Sequence, residues 1–334
     1  MKIKLLIASS DSYYVEHLSN MLAKKYLDTY IVSICSSRER LEDLLAANRY
    51  DIALLEPSFT VSVNFNSIQL PLLLMDDFEG IADINSSFKG IAKYQRISSL
   101  AGNILENYAE VGKGLNSFNA SKAHTTAVWS PSGGSGKTTV ALAFAAHKIS
   151  EGKQALYLNL ENFSSTSAYF PENGKSISRA FEKLGSNLHL HLMGIRQQDS
   201  GSGIFYFCGP ENYDDINILT ANDIEMLIKA CATEIDELVV DLSCCCDGRV
   251  QEIFNFADTV LVICDPSSTS QAKLKQFIDQ HNVIGQIRAK AVLINNKGAR
   301  TADAGINRAI DLPLVQTTDP ISIYKTLSAC KFDW

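Results

Sequence analysis

Long hydrophobic runs are missing from this 334-residue sequence. Nothing approaches the roughly 18–20 consecutive apolar residues that a membrane-spanning helix needs. Met1-Lys2-Ile3-Lys4 followed by Leu5-Leu6-Ile7-Ala8 has a superficial likeness to a secretion signal. The apolar stretch is short and Ser9-Ser10-Asp11 interrupts it, so a first β-strand is predicted instead. Cys-x-x-Cys spacing is also missing. The eight cysteines, with three in a row at 244–246, show no metal-type pattern, and several sit in apolar runs where a reduced thiol acts as a small hydrophobe. That usage points to a reducing, cytoplasmic setting. A basic arm is missing too: the net charge is −7, with −3 in residues 1–120 and −4 in the rest, which disfavours nucleic acid as a partner. Low-complexity tracts and long internal repeats are not found. What remains is a globular composition, 46% hydrophobic and 20% charged, long enough for two domains of ordinary size.

The stretch that organises the chain is Ser130-Pro131-Ser132-Gly133-Gly134-Ser135-Gly136-Lys137-Thr138-Thr139. An apolar run at 125–129 predicts a strand before it, and 139–149 predicts a helix after it. Strand, glycine-rich turn and helix is the context of a phosphate-cradling loop. Backbone N–H groups of Gly133, Gly134, Ser135 and Gly136 face the anion, the helix adds its positive end, and Lys137 adds a full charge. Thr138 has the hydroxyl that such loops place on Mg²⁺, and Thr139 follows it into the helix. The ordinary G-x-x-x-x-G-K-[ST] pattern fails because Pro131 stands at its first glycine. The variant x-K-G-G-x-G-K-T-[TS] fits better, and it resembles the ParA/MinD branch of P-loop ATPases. The departure is Ser132, which stands where that branch has its signature lysine.

The resemblance implies ATP and Mg²⁺ as ligands and gives roles to residues further on. After Ala155-Leu156-Tyr157-Leu158, these ATPases end a strand in D-x-D, and here Asn159 and Glu161 match the two acids. Glu161 keeps a carboxylate that could orient water. Glu237-Leu238-Val239-Val240-Asp241 is an apolar strand ending in Asp, the Walker B form, so Asp241 is expected to face Mg²⁺ opposite Thr138. Lys137, Glu161 and Asp241 are the expected catalytic set. Ala291-Val292-Leu293-Ile294 leads to Asn295, which matches the family's adenine-reading Asn. The remaining segments expected in this domain, 123–334, are a strand at 204–208, a helix at 220–233 and a buried strand at 259–264.

Residues 1–112 alternate short apolar runs with helical periodicity, which predicts a parallel sheet with helices on both faces. The order resembles a response-regulator receiver, a flavodoxin-like three-layer domain. Glu56 stands where a receiver has its phosphorylated Asp. Ser9 and Ser10 replace its acidic pair, leaving Asp11, while Asp76 matches the switch position and Lys93 the receiver lysine. A hard-oxygen Mg²⁺ site needs carboxylates, so this domain is read as one that takes no phosphoryl group in the usual way, with Glu56 and Lys93 either a fixed ion pair or plain structural acid and base. A linker is expected at 113–122.

A receiver-like domain joined to a deviant ParA/MinD-type ATPase resembles the TadZ/CpaE group of pilus-assembly proteins. That resemblance also rests on 205–212, on Leu219-Thr220-Ala221-Asn222-Asp223 and on the helix leading to Asp241. It implies an ATP-held homodimer that marks the assembly site of a Flp/Tad-type pilus machine, works with secretion components such as the traffic ATPase, and is recruited to a membrane-associated assembly or cell pole. With Ser132 and Asn159 in place, hydrolysis is expected to be slow. The competing readings are an active MinD/ParA-like positioning ATPase on membrane or DNA, an NtrC-like activator, and a scaffold that binds no nucleotide. Pro320 to Trp334 makes a poor surface-seeking tail, and no helix-turn-helix follows the ATPase.

Overall fold

A computed structural model describes residues 2–27, 29–61, 64–76, 88–111, 123–185, 187–301 and 305–330. The chain divides into two units, Met1–Phe118 and Asn119–Trp334. The expected linker at 113–122 lies outside the described residues.

In the first unit the elements run β1 (Ile3–Ala8), α1 (Ser12–Lys25), β2 (Tyr30–Cys35), α2 (Arg38–Ala47), β3 (Tyr50–Leu55), β4 (Ile68–Met75), β5 (Lys89–Ala92) and α3 (Ile97–Val111). All pairings are parallel, in the order β2-β1-β3-β4-β5. Leu5, Leu6, Ile7 and Ala8 are all fully buried, as are Ile52 to Leu55, so β1 and β3 are covered on both faces. That is why they read as continuous apolar runs rather than alternating ones. Helix α1 starts where the Asp11 side chain accepts from the Tyr14 N–H, ends on Lys24 and Lys25, and buries Val15, Leu18 and Leu22. Pro71 lies inside β4, paired with Ala53 of β3, just before β5 begins to pair at Leu72. At that level β4 has a neighbour on one side only, so the missing N–H is tolerated. Residues after β1, β3 and β5 gather at the carboxyl ends of the strands, where the strand order reverses.

The second unit contains β6 (His124–Trp129), α4 (Lys137–Ser150), β7 (Ala155–Leu160), α5 (Ser178–Phe181), α6 (Leu188–Ile195), β8 (Gln197–Gln198) and β9 (Phe205–Tyr206). It continues with α7 (Asp214–Asn217), α8 (Ala221–Cys231), β10 (Glu237–Leu242), α9 (Gly248–Phe256), β11 (Thr259–Cys264), α10 (Ser268–Ile278) and α11 (His281–Ile287). It ends with β12 (Ala291–Asn295), β13 (Ala309–Asp311) and α12 (Pro320–Ser328). The sheet order is β13-β12-β11-β6-β10-β7-β9-β8, parallel except for the short β8–β9 pair. The strand expected at 204–208 shrinks to β9. Ile204, Phe207 and Cys208 are buried by packing, and Cys208 makes only an isolated bridge to Ser176.

Period-2 geometry sorts this core into two faces. On β10, Leu238 and Val240 join a cluster with Trp129, Leu158 and Phe254. Val239 points the other way, to Tyr157, Val128 and the buried face of α4, with Tyr324 and Leu327 of α12. Helix α8 begins with a full capping box, Thr220 and Asp223 bonding reciprocally. Leu158→Ala, at a fully buried position, should cost about 2–5 kcal/mol in urea unfolding. Ile218→Ala, at a position 72% exposed, should stay within about 0.5 kcal/mol.

Candidate functional site: a phosphate loop at the ends of three parallel strands

Register brings the site together. β10 pairs with β6 through Asp241 and Val128, and with β7 through Asp241 and Asn159. All three strands therefore deliver their ends to one edge of the sheet. From β6 the chain turns through Ser130 to Gly136 and enters α4 at Lys137. Gly134 has φ +72° and Gly136 φ +93°, left-handed backbone that favours glycine. No side chain caps α4. The N–H groups of Gly133 through Thr138 donate no hydrogen bond among the described residues. These amides, four ahead of a 14-residue helix and two in its first turn, make an anion-binding concavity.

Lys137 is buried, with Nζ 3.7 Å from Glu161 Oε1. Thr138 Oγ1 donates to Glu161 Oε2 at 3.4 Å. Asn159 accepts from the Glu161 N–H at 3.1 Å, and its amide donates to the Tyr157 hydroxyl at 2.9 Å. Tyr157 in turn donates to Asp241 Oδ2 at 2.8 Å. Thr139 lies 3.2 Å from the Tyr169 hydroxyl. Lys137, Thr138, Glu161 and Asp241 thus form one connected cluster. Asp241 is fully buried. Burial, and next the Glu161 carboxylate, push it up to about 7, against the hydroxyls of Thr138 and Tyr157 and the Lys137 ammonium. Burial also raises Tyr157 well above its ordinary range, with Asp241 adding to it.

Three buried atoms here have no hydrogen-bond partner: Ser135 Oγ, Asp241 Oδ1 and Asn295 Oδ1. Each such atom costs about 1–3 kcal/mol, and all three lie in the loop or at strand ends beside it. An orphaned carboxylate oxygen near a Thr hydroxyl is a suitable donor set for Mg²⁺, so the residues present fit that ion.

Asn295 ends β12 and gives its amide to Asp311 Oδ1 at 2.7 Å, on the neighbouring strand. The residue that touches the loop is its neighbour. Asn296 Nδ2 donates to Ser135 O at 2.8 Å, and Lys297 Nζ donates to Gly134 O at 2.7 Å. The sequence reading missed both. The available signal was the doubled Asn followed by Lys-Gly after an apolar strand. Ser132 is 6% exposed; its N–H donates to Ser130 Oγ and its hydroxyl to Gly133 O. It is folded into its own loop.

In the first unit Glu56 and Lys93 form an ion pair at 3.6 Å, and Asp76 stands 3.7 Å from the same ammonium. The N–H and the hydroxyl of Ser10 both donate to Glu56 Oε2, each at 2.7 Å. Lys93 lies over the rings of Tyr14 and Tyr94. Burial pushes Glu56 up, but the two Ser10 donors, Lys93 and Ser9 outweigh it, and the net shift is downward.

No protein-family model matches the sequence, and no curated protein matches it. Among solved structures, the likenesses cover about three fifths of the chain. The ParA family ATPase from Chlorobium tepidum TLS is similar with a TM-score of 0.51 at 19% identity, over 63% of this chain and 94% of that one. The septum site-determining protein MinD complexed with Mg-ADP, from Pyrococcus horikoshii OT3, reaches 0.47 at 11% identity, over 62% and 94%. Cobyrinic acid a,c-diamide synthase from Mycobacterium smegmatis, with bound ATP analog and magnesium, reaches 0.45 at 14%, over 62% and 93%. The first of these likenesses shows a shared fold.

Two outcomes are expected. A Cβ on Gly136 would lie 2.4 Å from Asn296 Nδ2 at a left-handed φ. Gly136→Ala should therefore cost about 1–2 kcal/mol of stability and weaken ATP binding roughly tenfold by calorimetry. Because Glu56 has a lowered folded-state pKa, its stabilising effect is present above the unfolded carboxylate pKa of roughly 4.3 and is lost as pH falls through the folded value. Acid unfolding of the wild-type protein should show this loss, and Glu56→Gln should flatten it.

Proposed function

We propose that this chain binds Mg·ATP at the Gly133–Thr139 loop, associates as a nucleotide-held homodimer, and hydrolyses ATP slowly. The observation that carries the proposal is the set of unengaged amides from Gly133 to Thr138 facing a cluster that contains Lys137, Thr138 and an orphaned Asp241 oxygen. Lys137 and the loop amides hold the phosphates, Thr138 and Asp241 hold Mg²⁺, and Glu161 positions water. Asn295, with its unpartnered Oδ1, faces the adenine amino group. When bound, Mg²⁺ neutralises charge on the phosphate oxygens. Resting on the Lys137–Glu161 contact, the ground state holds the lysine on a carboxylate that ATP must displace.

Slow turnover follows from Ser132. A charge reaching the phosphates from a partner is worth roughly 10³–10⁵ in rate, and a buried serine bonded within its own loop supplies none. Dimerisation is supported by an exposed apolar cluster just past Glu161. Phe163 is 80% exposed and stacks on Tyr213, and Ile218 nearby is 72% exposed.

The first unit is read as a receiver-like domain that takes no phosphoryl group, supported by its strand order and by a Glu56 carboxylate already filled by Ser10 and Lys93. Together the two units support the TadZ/CpaE-type reading: a protein that places or helps assemble a Flp/Tad-type pilus machine at the cytoplasmic side, alongside components such as the traffic ATPase. No helix among the described residues is long and apolar enough to cross a membrane. The shared fold with a ParA family ATPase supports the second reading, a positioning ATPase of the MinD/ParA kind.

An ATPase assay with Lys137→Ala as blank separates these readings. Turnover well below one per second, raised by Ser132→Lys, fits the slow dimer; fast turnover abolished by Lys137→Ala fits the positioning ATPase. Light scattering with and without Mg·ATP should show a dimer only with nucleotide, and a monomer under both conditions would overturn the nucleotide-held dimer.

A further inference from the structure

The loop that lacks a lysine at 132 carries one on its other side. Lys297 follows β12 in left-handed backbone, φ +56°, and its ammonium sits 2.7 Å from Gly134 O. Beside it, Asn296 is 4% exposed and its amide holds Ser135 O at 2.8 Å. The pair is anchored from below. The Asn296 N–H donates to Cys264 O of β11, the Lys297 N–H to Asn296 Oδ1, and the Gly298 N–H to Leu312 O. Gly298, at φ +75°, completes a turn that leaves the two side chains aimed at consecutive carbonyls of the phosphate loop.

The chemistry follows from the peptide unit. There are no cis peptides among the described residues, so in each of these planar groups the C=O and the next residue's N–H point in opposite directions. A donor on Gly134 O turns the Ser135 N–H to the opposite side, and a donor on Ser135 O does the same for the Gly136 N–H. Among the described residues neither N–H makes a well-formed hydrogen bond. A cation on a carbonyl also polarises the peptide and makes its N–H a stronger donor, the cooperative effect seen along hydrogen-bonded chains. Nor is there spare room: a Cβ at residue 136 would collide with Asn296 Nδ2 at 2.4 Å, so Gly136 and Asn296 fit only together.

We propose that Lys297 and Asn296 are positioning residues for the polyphosphate: they hold the outward carbonyls of Gly134 and Ser135, and through those two peptides they orient and strengthen the amides that bind phosphate. This rests on the nucleotide-binding reading above. Lys297 supplies its charge from within the same chain, through a peptide rather than by contact, so it serves binding. The phosphate loop and the β12 turn then form one functional unit, which a glycine-rich motif by itself does not reveal.

The test measures affinity for Mg·ATP by calorimetry, and for magnesium pyrophosphate by competition with a fluorescent ATP analogue. The proteins are wild type, Lys297→Met, Lys297→Gly and Lys297→Arg. Lys297 is exposed, and the Gly variant relieves the left-handed φ while removing the arm, so the apo proteins should unfold at the same temperature. Met and Gly should each bind both ligands roughly tenfold more weakly, and Arg should recover most of that loss. An undiminished pyrophosphate affinity in both Met and Gly would overturn the proposal, whether ATP weakens or not, because the lysine would then act on the base or on nothing. Wild type that binds ATP while the variants match it overturns the brace alone. Wild type that binds neither ligand overturns the nucleotide reading, and the brace with it.

Discussion

Parallel pairing of β6, β10 and β7 is the constraint on which the site depends. Because Asp241 is level with Val128 on one side and Asn159 on the other, a slip of one residue on β10 would turn Asp241 onto the opposite face of the sheet. The same slip would carry Leu238 and Val240 out of the Trp129 cluster and Val239 out of the Tyr157 cluster. Core packing on two faces therefore holds a buried carboxylate in place, and the cost of that carboxylate is offset in part by Thr138, Tyr157, Asn159 and the charge of Lys137. The sheet is not merely a platform for the loop. Its register decides which acid meets which base.

The parts of this arrangement legible in the sequence are those that burial writes as composition. Doubly covered strands read as apolar runs, and the first unit has the alternation of strands and helices that its periodicity predicts, beginning with β1. The glycines of the loop are legible because left-handed φ at Gly134 and Gly136 excludes most side chains. Contacts that depend on a neighbouring loop are not. Asn295 and Asn296 are equivalent as text, and only the end of β12 decides that the first turns to Asp311 and the second to Ser135. The two-residue strands β8 and β9 and the three-residue β13 are too short for a period to show. Pro71 in β4 argues against a strand until the late start of β5 is known.

Ser132 shows the difference between a missing side chain and a missing function. The loop keeps its shape without a lysine there, because its N–H donates to Ser130 Oγ and its hydroxyl to Gly133 O. Shape and amides suffice for holding phosphates, since each charge-assisted hydrogen bond contributes about 1.5–3 kcal/mol. They do not suffice for turnover, which needs positive charge where the leaving group develops negative charge.

The two units make the same kind of ion pair and leave it in opposite states. Lys93 meets Glu56 at 3.6 Å and Lys137 meets Glu161 at 3.7 Å, each at the carboxyl end of a parallel sheet. In the first unit the carboxylate is also filled by two donors from Ser10, and Asp76 and two tyrosine rings complete the surroundings of the lysine. In the second unit Asp241 Oδ1 and Asn295 Oδ1, at the ends of two strands, and Ser135 Oγ, in the loop after β6, are all buried and unpartnered. A buried polar atom without a partner is destabilising unless something binds there. The first site is complete in itself, while the second is complete only with an anion and a cation in it. By that criterion the proposed nucleotide site of the second unit, and not the Glu56–Lys93 pair of the first, is the one poised to take a ligand.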